Sequence, residues 1–462
     1  MNDAITPCRR PDKLPVSFIQ EQVIGAELAG LYDPAGMRIN CPALSYLIKG
    51  RVNTYALDKA LCEIVRRHEI LRTNYIVINK QIFQNINDVP DTILQISDLR
   101  RFTQNNRKNE ANRILTELAS YPFSFFDNKL MLSATLIITG DDENILTVIT
   151  NHIATDGLSM MILQQELFAL YQAFLFNTPS PLPVLPIQYV DFAIWERKHY
   201  SGEFLEKKLD YWRSIPNTIN TFLPVDHVPA STSYYGDTVP VSILPEPAKR
   251  LSLLGRANNV TFFTVLFSAF ISLIHAFSGY RCNFFCVPVA NRLRKEIHSA
   301  VGCFMNFQFV HVDLDGNPMF LELIERVNKT LLDVYDNYIP FHFITGVIPP
   351  QGPVVDFQLQ TSMDLAVPPS DGQASRSSSE DLAVLPFRLP QSEFALFPID
   401  VFLSGNSGGV SGYFKYQTAS YNRATILKLI NDYVVLLTKL ISNPNMRIQE
   451  MGIKPHQNAK TV

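Results

Sequence analysis

Apolar and polar residues alternate along the first part of the chain with the two periods that distinguish strands from helices. Short runs rich in β-branched and aromatic residues predict strands at 44–48, 75–78, 132–138 and 145–150. Apolar positions that recur at helical spacing predict helices at 56–65, 105–121 and 161–171. Because strands alternate with helices, and a polar turn at 140–144 joins two of the strands, the pattern indicates an α/β fold with a mixed sheet.

A proline-rich segment separates this part of the chain from a second region with a similar pattern. Four prolines fall within residues 177–186 and predict a stiff, extended linker. We therefore expect two domains, an N-terminal lobe at 1–178 and a C-terminal lobe at 179–462. The pattern predicts helices in the C-terminal lobe at 189–212, 245–257, 262–277, 318–335 and 425–441. It predicts strands at 239–244, 283–289, 307–314, 397–403 and 413–417, and a flexible surface loop at 368–381.

Composition and charge argue against several classes of protein. Of the 462 residues, 47% are hydrophobic and 18% are charged, which provides enough apolar material for a folded core. The net charge of -3 and the lack of a long basic run argue against nucleic acid or an anionic membrane as a partner. The six scattered cysteines do not fit a disulfide framework or a zinc site, so we expect free thiols in a reducing compartment.

The sequence predicts no targeting or membrane-spanning segment. The first residues lack the basic and apolar regions of a signal peptide. The most apolar stretch, 260–277, contains two threonines, two serines and a histidine, which suits a buried helix better than a membrane span. These features predict a cytoplasmic protein.

The candidate chemistry lies where the predicted strand at 145–150 meets a turn and then a helix. The turn reads Asn151-His152-Ile153-Ala154-Thr155-Asp156-Gly157. A buried strand holds the imidazole that follows it rigidly, a glycine permits a tight turn, and the aspartate is free to bond elsewhere. We therefore predict that His152 is the centre of the chemistry.

Five short blocks occur in order along the chain: SFIQEQ at 17–22, RHEILRT at 67–73, NHIATDG at 151–157, YVDFAIW at 189–195 and VGCFMN at 301–306. Together they resemble the condensation domains of non-ribosomal peptide synthetases, which belong to the chloramphenicol-acetyltransferase-like acyltransferases with an HHxxxDG motif. The second block matches the RHExLRT block of the family at every specified position. The third departs from HHxxxDG only where Asn151 replaces the first histidine. The resemblance covers almost the whole chain.

The resemblance implies both a fold and a reaction. It implies two chloramphenicol-acetyltransferase-like lobes, each a mixed sheet flanked by helices, that form a V with a central tunnel and a bridging hairpin near 397–413. An acyl thioester on the 4'-phosphopantetheine of a donor carrier protein would be attacked by an amine. The amine would be either a soluble molecule or a group on an acceptor carrier protein. The chain itself is expected to bind no cofactor and no metal.

The resemblance also implies roles for individual residues. His152 would accept a proton from the nucleophile or orient it, and the Gly157 N–H would stabilise the oxyanion. Asp156 would be structural and pair with Arg292, and Asn151 would be structural at the site. Asn306 and Trp195 are expected to line the substrate tunnel. The block at 67–73 places His68 and Arg72 one helical turn apart, and we expect them to be structural hydrogen-bond and ion-pair partners.

Other functions fit parts of the sequence. An alcohol acceptor would make the same enzyme an ester-forming acyltransferase, and a degenerate domain would only dock carrier proteins. The motifs of cyclisation, plant-type acyltransferase and epimerisation domains are absent or poorly matched. The segment Gly405-Asn406-Ser407-Gly408-Gly409 fits the GxSxG pattern of a hydrolase, but an alternating strand pattern follows it where that fold needs a helix. We expect an enzyme that acts on carrier proteins in trans.

Overall fold

Two structural units make up the chain, and each contains a mixed sheet flanked by helices. The computed structural model describes residues 4–29, 41–119, 121, 123–215, 223–229, 233–279, 282–348, 355–360, 375–376, 382–387, 389, 394–453 and 455. The first unit comprises 1–199, 290–305 and 365–392, and the second unit comprises 200–289, 306–364 and 393–462.

The strands and helices are numbered in chain order. The strands are β1 (Leu14–Pro15), β2 (Ala43–Lys49), β3 (Thr73–Ile78), β4 (Gln81–Ile86), β5 (Leu94–Asp98), β6 (Leu132–Ile138), β7 (Glu143–Thr150), β8 (Gly236–Ile243), β9 (Cys282–Val289), β10 (Asn306–Asp313), β11 (Val355–Gln360), β12 (Ser375–Arg376), β13 (Ala383–Pro386), β14 (Ile399–Asn406) and β15 (Gly409–Gln417). The helices are α1 (Phe18–Leu28), α2 (Thr54–Arg67), α3 (Gln104–Ala119), α4 (Gly157–Leu175), α5 (Tyr189–His199), α6 (Gly202–Ser214), α7 (Pro245–Ala257), α8 (Phe262–Ser278), α9 (Phe320–Asp336), α10 (Phe341–Val347) and α11 (Arg423–Ser442).

Both large sheets combine parallel and antiparallel neighbours. The sheet of the first unit has the order β12-β13-β2-β7-β6-β5, with β5 and β6 parallel. The sheet of the second unit has the order β10-β9-β11-β14-β15-β8, with β11 parallel to both of its neighbours. A small sheet, β1-β4-β3, completes the first unit. The predicted α/β class is therefore confirmed.

Helices α2 and α4 cover one face of the first sheet because their apolar positions recur at helical spacing. Leu57 and Ile64 of α2, Leu163 and Leu167 of α4, and Leu146 of β7 are all buried in one hydrophobic cluster. Burial of side chains of this size contributes about 1.5–3 kcal/mol each. This packing fixes the end of β7 against the start of α4, the two elements on either side of His152.

The apolar stretch 260–277 forms a buried helix, as its sequence predicts. Thr261 caps α8 by accepting a hydrogen bond from the N–H of Thr264, and Gly279 ends the helix with a φ of 75°. The hydroxyls of Ser268 and Ser272 each donate to a carbonyl one turn earlier, so their burial leaves no donor unpaired. The helix lies in the core of the second unit.

Within the described part of the chain, no helix on its own has the length and hydropathy to cross a membrane, and α7 and α8 reach that threshold only as a pair bent by 104°.

The prediction of a single long helix at 189–212 is wrong. The structure has two helices, because Ser201 is extended and Gly202 adopts a φ of 59°, which interrupts the helical backbone. Helix α5 belongs to the first unit, where Tyr189 and Phe192 pack in its core. The division between the units therefore comes after His199 and differs from the predicted boundary at 178/179.

A segment from late in the chain contributes a strand to the first sheet. Strand β13 pairs antiparallel with β2, with Val384 opposite Ile48. The hairpin predicted near 397–413 as a bridge forms β14 and β15 inside the second sheet. Its turn contains the GxSxG-like segment, and β15 follows directly, so the helix that a hydrolase nucleophile requires is not there. The predicted loop at 368–381 lies outside the described residues except for 375–376.

Candidate active site

The turn that carries His152 is held in place by its own polar side chains. The Asn151 side chain accepts a hydrogen bond from the Ile153 N–H at 2.9 Å, which is the bonding pattern of an Asx turn. The hydroxyls of Thr150 and Thr155 lie 2.5 Å apart across the turn and are fully buried. His152 itself is half-buried. A rigid turn thus presents one partly exposed imidazole at the end of β7.

Helix α4 begins immediately after this turn. Asp156 is its N-cap and accepts a hydrogen bond from the Ser159 N–H at 2.8 Å. Gly157 is the first helical residue and is exposed. Its backbone is helical and does not have a positive φ, so the expectation that this glycine makes the tight turn is wrong. The start of a helix carries N–H groups without intrahelical partners and a partial positive charge, which is the property an oxyanion site needs.

The predicted pairing of Asp156 with Arg292 is present in the structure. Arg292 Nη2 lies 3.0 Å from Asp156 Oδ1, and both side chains are at most 6% exposed. Arg292 also donates to the Ser159 hydroxyl at 2.9 Å and to the carbonyls of Ile297 and Ala300. The aspartate is therefore directed into the protein and fastens the segment 290–305 to the start of α4.

The block at 301–306 completes this attachment through its backbone. Phe304 N–H donates to Asp156 Oδ2 at 3.0 Å, and the Ser159 hydroxyl bonds both the N–H and the carbonyl of Gly302. Gly302 must be a glycine, because a Cβ there would lie 2.0 Å from Cδ2 of Tyr189. Tyr189 in turn donates its hydroxyl to the Cys303 carbonyl at 2.7 Å. The blocks at 151–157, 189–195 and 301–306 thus meet around one buried network.

Cys303 is a neighbour of His152 that the sequence did not reveal. Its Sγ lies 4.0 Å from Nδ1 of His152. Burial, together with the nearby negative charge of Asp156, raises the pKa of this thiol well above its usual range. The thiol therefore stays protonated at neutral pH, and a nucleophilic Cys–His pair does not follow from its position. The two residues are 151 positions apart, and no spacing rule connects them.

The block at 67–73 is attached to α4 through Glu166. His68 Nε2 lies 2.7 Å from Glu166, and Arg67 donates to the same carboxylate at 2.9 Å. Burial acts to raise the pKa of Glu166, but the hydrogen bonds from His68 and Arg67 outweigh it and hold the pKa below its usual value. Arg72 donates to the carbonyls of Val65 and Asn87. These contacts give the block a structural role.

The two residues predicted to line a substrate tunnel have their own partners. Asn306 is buried, and its side-chain amide donates a hydrogen bond to the Tyr338 hydroxyl at 3.0 Å. Its side-chain oxygen accepts hydrogen bonds from the N–H groups of Phe307 and Phe341. Trp195 is half-buried, with its ring stacked 4.5 Å from His199 and 5.0 Å from the guanidinium of Arg294. Asn306 lies in the second unit and Trp195 in the first. The contacts described here hold each residue within its own unit.

The residues around this turn can transfer a proton and bind a negative charge. An imidazole can accept or donate a proton near neutral pH, and the first N–H groups of α4 can bind a negatively charged oxygen. Within the described ranges, no three His, Cys, Asp or Glu side chains are grouped so that they could hold a metal ion.

A family model and several known proteins match nearly the whole chain. The family model described as "Condensation domain" matches residues 11–461. One of the linear gramicidin synthase proteins of Brevibacillus parabrevis is 29% identical over 458 residues, which cover 96% of this chain and 9% of that protein. Malpinin synthetase from Mortierella alpina is 31% identical over 437 residues, which cover 92% of this chain and 5% of that protein. The chain therefore spans less than a tenth of the length of either relative.

Solved structures share the fold over nearly the whole chain. The X-domain from teicoplanin biosynthesis, solved in a complex with OxyB, superposes with a TM-score of 0.82 at 22% identity and covers 97% of this chain and 98% of its own. The first condensation domain of the calcium-dependent antibiotic synthetase superposes with a TM-score of 0.74 at 15% identity, and the match covers 96% of this chain and 100% of that domain. The epimerization domain from the third module of tyrocidine synthetase B superposes with a TM-score of 0.77 at 16% identity, and the match covers 94% of this chain and 98% of that domain.

Proposed function

The chain belongs to the condensation-domain family, and on this basis we propose that it forms an amide bond by transferring an acyl or aminoacyl group from a carrier-bound thioester to an amine. One observation supports the proposal most: His152 is half-buried and follows the Asx-turn residue Asn151, and the exposed first residue of α4, Gly157, comes five positions later. A proton acceptor and an oxyanion-binding group thus lie on one short segment of the chain. The family works with carrier proteins of non-ribosomal peptide synthesis.

In the proposed reaction the amine nitrogen attacks the carbonyl carbon of the thioester. An α-amine has an ordinary pKa of about 8, so a fraction is neutral and nucleophilic at about pH 7. His152 accepts the proton that the nitrogen loses, or orients the nitrogen for attack, and both roles require the same position. The C–N bond forms, the carbonyl oxygen becomes negative, and the C–S bond then breaks. The pantetheine sulfur leaves with a proton, which the imidazolium can supply.

The negative oxygen of the tetrahedral intermediate needs a donor that is already in place. The N–H of Gly157 belongs to the first turn of α4 and has no partner within the helix. Removal of one such donor in other enzymes costs about 3–4 kcal/mol of transition-state stabilisation. Asp156 keeps this helix start in place through its hydrogen bonds to Ser159 and Phe304. We therefore assign Gly157 a direct role and Asp156, Arg292 and Asn151 positioning roles.

A second function is favoured by one of the structural comparisons. The X-domain that resembles this chain was solved in a complex with OxyB, so a domain of this fold can serve as a binding partner of another protein. In that case the chain would dock a partner without transferring an acyl group. A hydroxyl acceptor, which would give an ester, is the third alternative, and it would depend more strongly on His152 because hydroxyl groups hardly ionise near neutral pH.

One assay separates these functions. A donor carrier protein loaded with an acyl group is mixed with the chain and with an amine, a hydroxyl compound or buffer, and the carrier is followed by mass spectrometry. Amide formation predicts that the carrier loses its acyl group only when the amine is present, with the amide as product. Loss with the hydroxyl compound alone would indicate ester formation. An acyl group that stays on the carrier in all three mixtures would indicate a docking role.

A further inference from the structure

An apolar cavity in the first unit lies away from the His152 turn. It has a volume of about 240 Å³, with Ile48 and Val384 on the sheet side and Leu57 and Leu167 on the helix side. Leu146, which also lines it, precedes His152 by six residues. Because a strand rises about 3.3 Å per residue, the cavity lies roughly 15–20 Å from the imidazole. A molecule bound there would leave the proposed reaction centre free.

The cavity follows from the way in which β13 extends the sheet. Helices α2 and α4 pack against each other over β2 and β7. Strand β13 adds to the far edge of β2, with Val384 opposite Ile48. Val384 of β13 and Ile48 of β2 both line the cavity, together with aliphatic side chains of the helices and the rings of Phe168 and Tyr171.

The size and lining select an apolar ligand over water. A cavity of about 150 Å³ lined only by apolar groups stays dry and binds benzene in an engineered protein. By the same scale, the larger cavity holds a chain of about eight carbon atoms. The polar groups in the lining are the hydroxyl of Tyr171, which accepts a hydrogen bond from the Asn53 N–H at 3.1 Å, and the amide of Gln172.

The cavity adjoins a wider surface pocket with cationic residues. This pocket has a volume of about 710 Å³, and it shares Val52 and Leu382 with the cavity. Lys49 and Arg51 line it and are exposed, while Asp142 lies 3.8 Å from Arg51. Two cations and one carboxylate line this pocket, and Glu143, which lies opposite Lys49 in the sheet, is not among the lining residues. Lys49 and Arg51 can therefore attract an anionic group at the end of an apolar chain.

We propose that this cavity binds a linear alkyl carboxylate of about eight carbons, with its chain against Leu146 and Leu167 and its carboxylate beside Lys49 and Arg51. Each methylene removed from water strengthens binding roughly fourfold. Octanoate is therefore expected to bind at least about tenfold more tightly than hexanoate. Octan-1-ol has a similar chain without the charge, and it is expected to bind independently of Lys49.

Isothermal titration calorimetry on the full chain tests the proposal with these three compounds. Val384→Phe fills the cavity from the edge strand, and Gln172→Trp places a ring over it from an exposed helix position. Lys49→Gln removes one cation from the mouth. Val435→Phe is the matched control, because it adds the same ring at an exposed position on α11. Far-UV circular dichroism establishes that each variant is folded.

The proposal requires one octanoate per chain, at least about tenfold weaker binding in Val384→Phe or Gln172→Trp, and unchanged binding in the control. Lys49→Gln must weaken the binding of octanoate more than the binding of octan-1-ol. Absence of octanoate binding up to its solubility limit, or equal binding by the wild type and the folded cavity-filling variants, would overturn it. The measurement involves no carrier protein, so its result is independent of the proposed amide-forming reaction.

Discussion

Arg292 Nη2 lies 3.0 Å from Asp156 Oδ1, although the two residues are 136 positions apart in the chain. The pair joins the segment 290–305 to the start of α4, and both side chains are almost completely buried. Asp156 also accepts hydrogen bonds from the N–H groups of Ser159 and Phe304. Both oxygens of its carboxylate therefore bond to groups of the protein. The aspartate of the His152 turn therefore acts on the chemistry by fixing the helix start.

Asp156→Asn is expected to reduce stability more than it changes the chemistry. The amide keeps an acceptor for Ser159 but leaves the buried guanidinium of Arg292 without its counter-charge. Removal of one partner of a buried ion pair costs about 3–5 kcal/mol, which urea denaturation monitored by circular dichroism will measure. Glu110→Gln is the matched control, since the ion pair of Glu110 with Arg113 lies on the surface, and its unfolding midpoint should not move. An unchanged midpoint together with lost activity in Asp156→Asn would instead assign Asp156 a direct catalytic role.

Gly302→Ala is expected to destabilise the first unit. The added Cβ would lie 2.0 Å from the ring of Tyr189, so the ring or the backbone must move. Overpacking of this kind costs about 1–3 kcal/mol. Gly346→Ala is the control, because a Cβ at Gly346 would meet no atom within 4 Å. Thermal unfolding of both variants measures the difference, and equal midpoints would show that residues 301–306 are not packed as described.

Cys303→Ala is expected to retain activity within about tenfold of the wild type, because its thiol is not available as a thiolate nucleophile. The sulfur lies beside His152, but burial raises the pKa of the thiol. Intact-protein mass spectrometry after incubation with an acyl-loaded carrier should therefore show no acyl group on the wild-type chain. An acylated wild type and an inactive, folded Cys303→Ala variant would contradict this and indicate a covalent intermediate on Cys303.

Glu196 makes the stability of the protein depend on pH. Burial raises the pKa of its carboxyl to about 7, although the bond from the Phe18 N–H acts in the opposite direction. Because folding raises the pKa of this carboxyl, its protonated form favours the folded state. Its contribution to stability is complete below the pKa that it has in the unfolded chain, and it is lost as the pH rises through the pKa that it has in the folded protein. We expect the free energy of unfolding to fall by about 3 kcal/mol between about pH 4.5 and 7.

Glu196→Gln tests this dependence because the amide keeps an acceptor for the Phe18 N–H and cannot ionise. The variant should be more stable than the wild type at about pH 8 and no more stable at about pH 4. Guanidinium denaturation at the two pH values provides the comparison. If the two proteins lose the same stability between these pH values, then Glu196 is not the group responsible.

The sequence predicted those parts of the fold that depend on local pattern. Helices α2 and α4 and strand β7 have strong periodicity, and the structure confirms them near their predicted positions. The break at Gly202 was missed, since the apolar pattern of α5 continues into α6 and a single glycine decides the backbone. Strand β13 pairs with β2 and places Val384 opposite Ile48, although the two residues are far apart in the chain. The strand has only four residues, so its sequence pattern is too short to predict this pairing.

The candidate site was predictable where a motif specifies residue types. The block at 151–157 identified His152, and the family resemblance suggested Arg292 as the partner of Asp156. Cys303 was missed because only the three-dimensional path of residues 290–305 brings its sulfur to the imidazole. Gly157 was predicted to make the turn, but the bonds of Asn151 and Thr150 make it instead.

His152 is the residue on which the proposed reaction depends most, and product formation by His152→Ala tests its role directly. His227→Ala is the matched control, because His227 is exposed and lies in the second unit. Both variants should unfold at the wild-type midpoint. With an acyl-loaded carrier and an amine, we expect His152→Ala to form amide at least about a hundredfold more slowly than the wild type, and His227→Ala to match the wild type. Wild-type turnover by a folded His152→Ala variant would contradict the central claim.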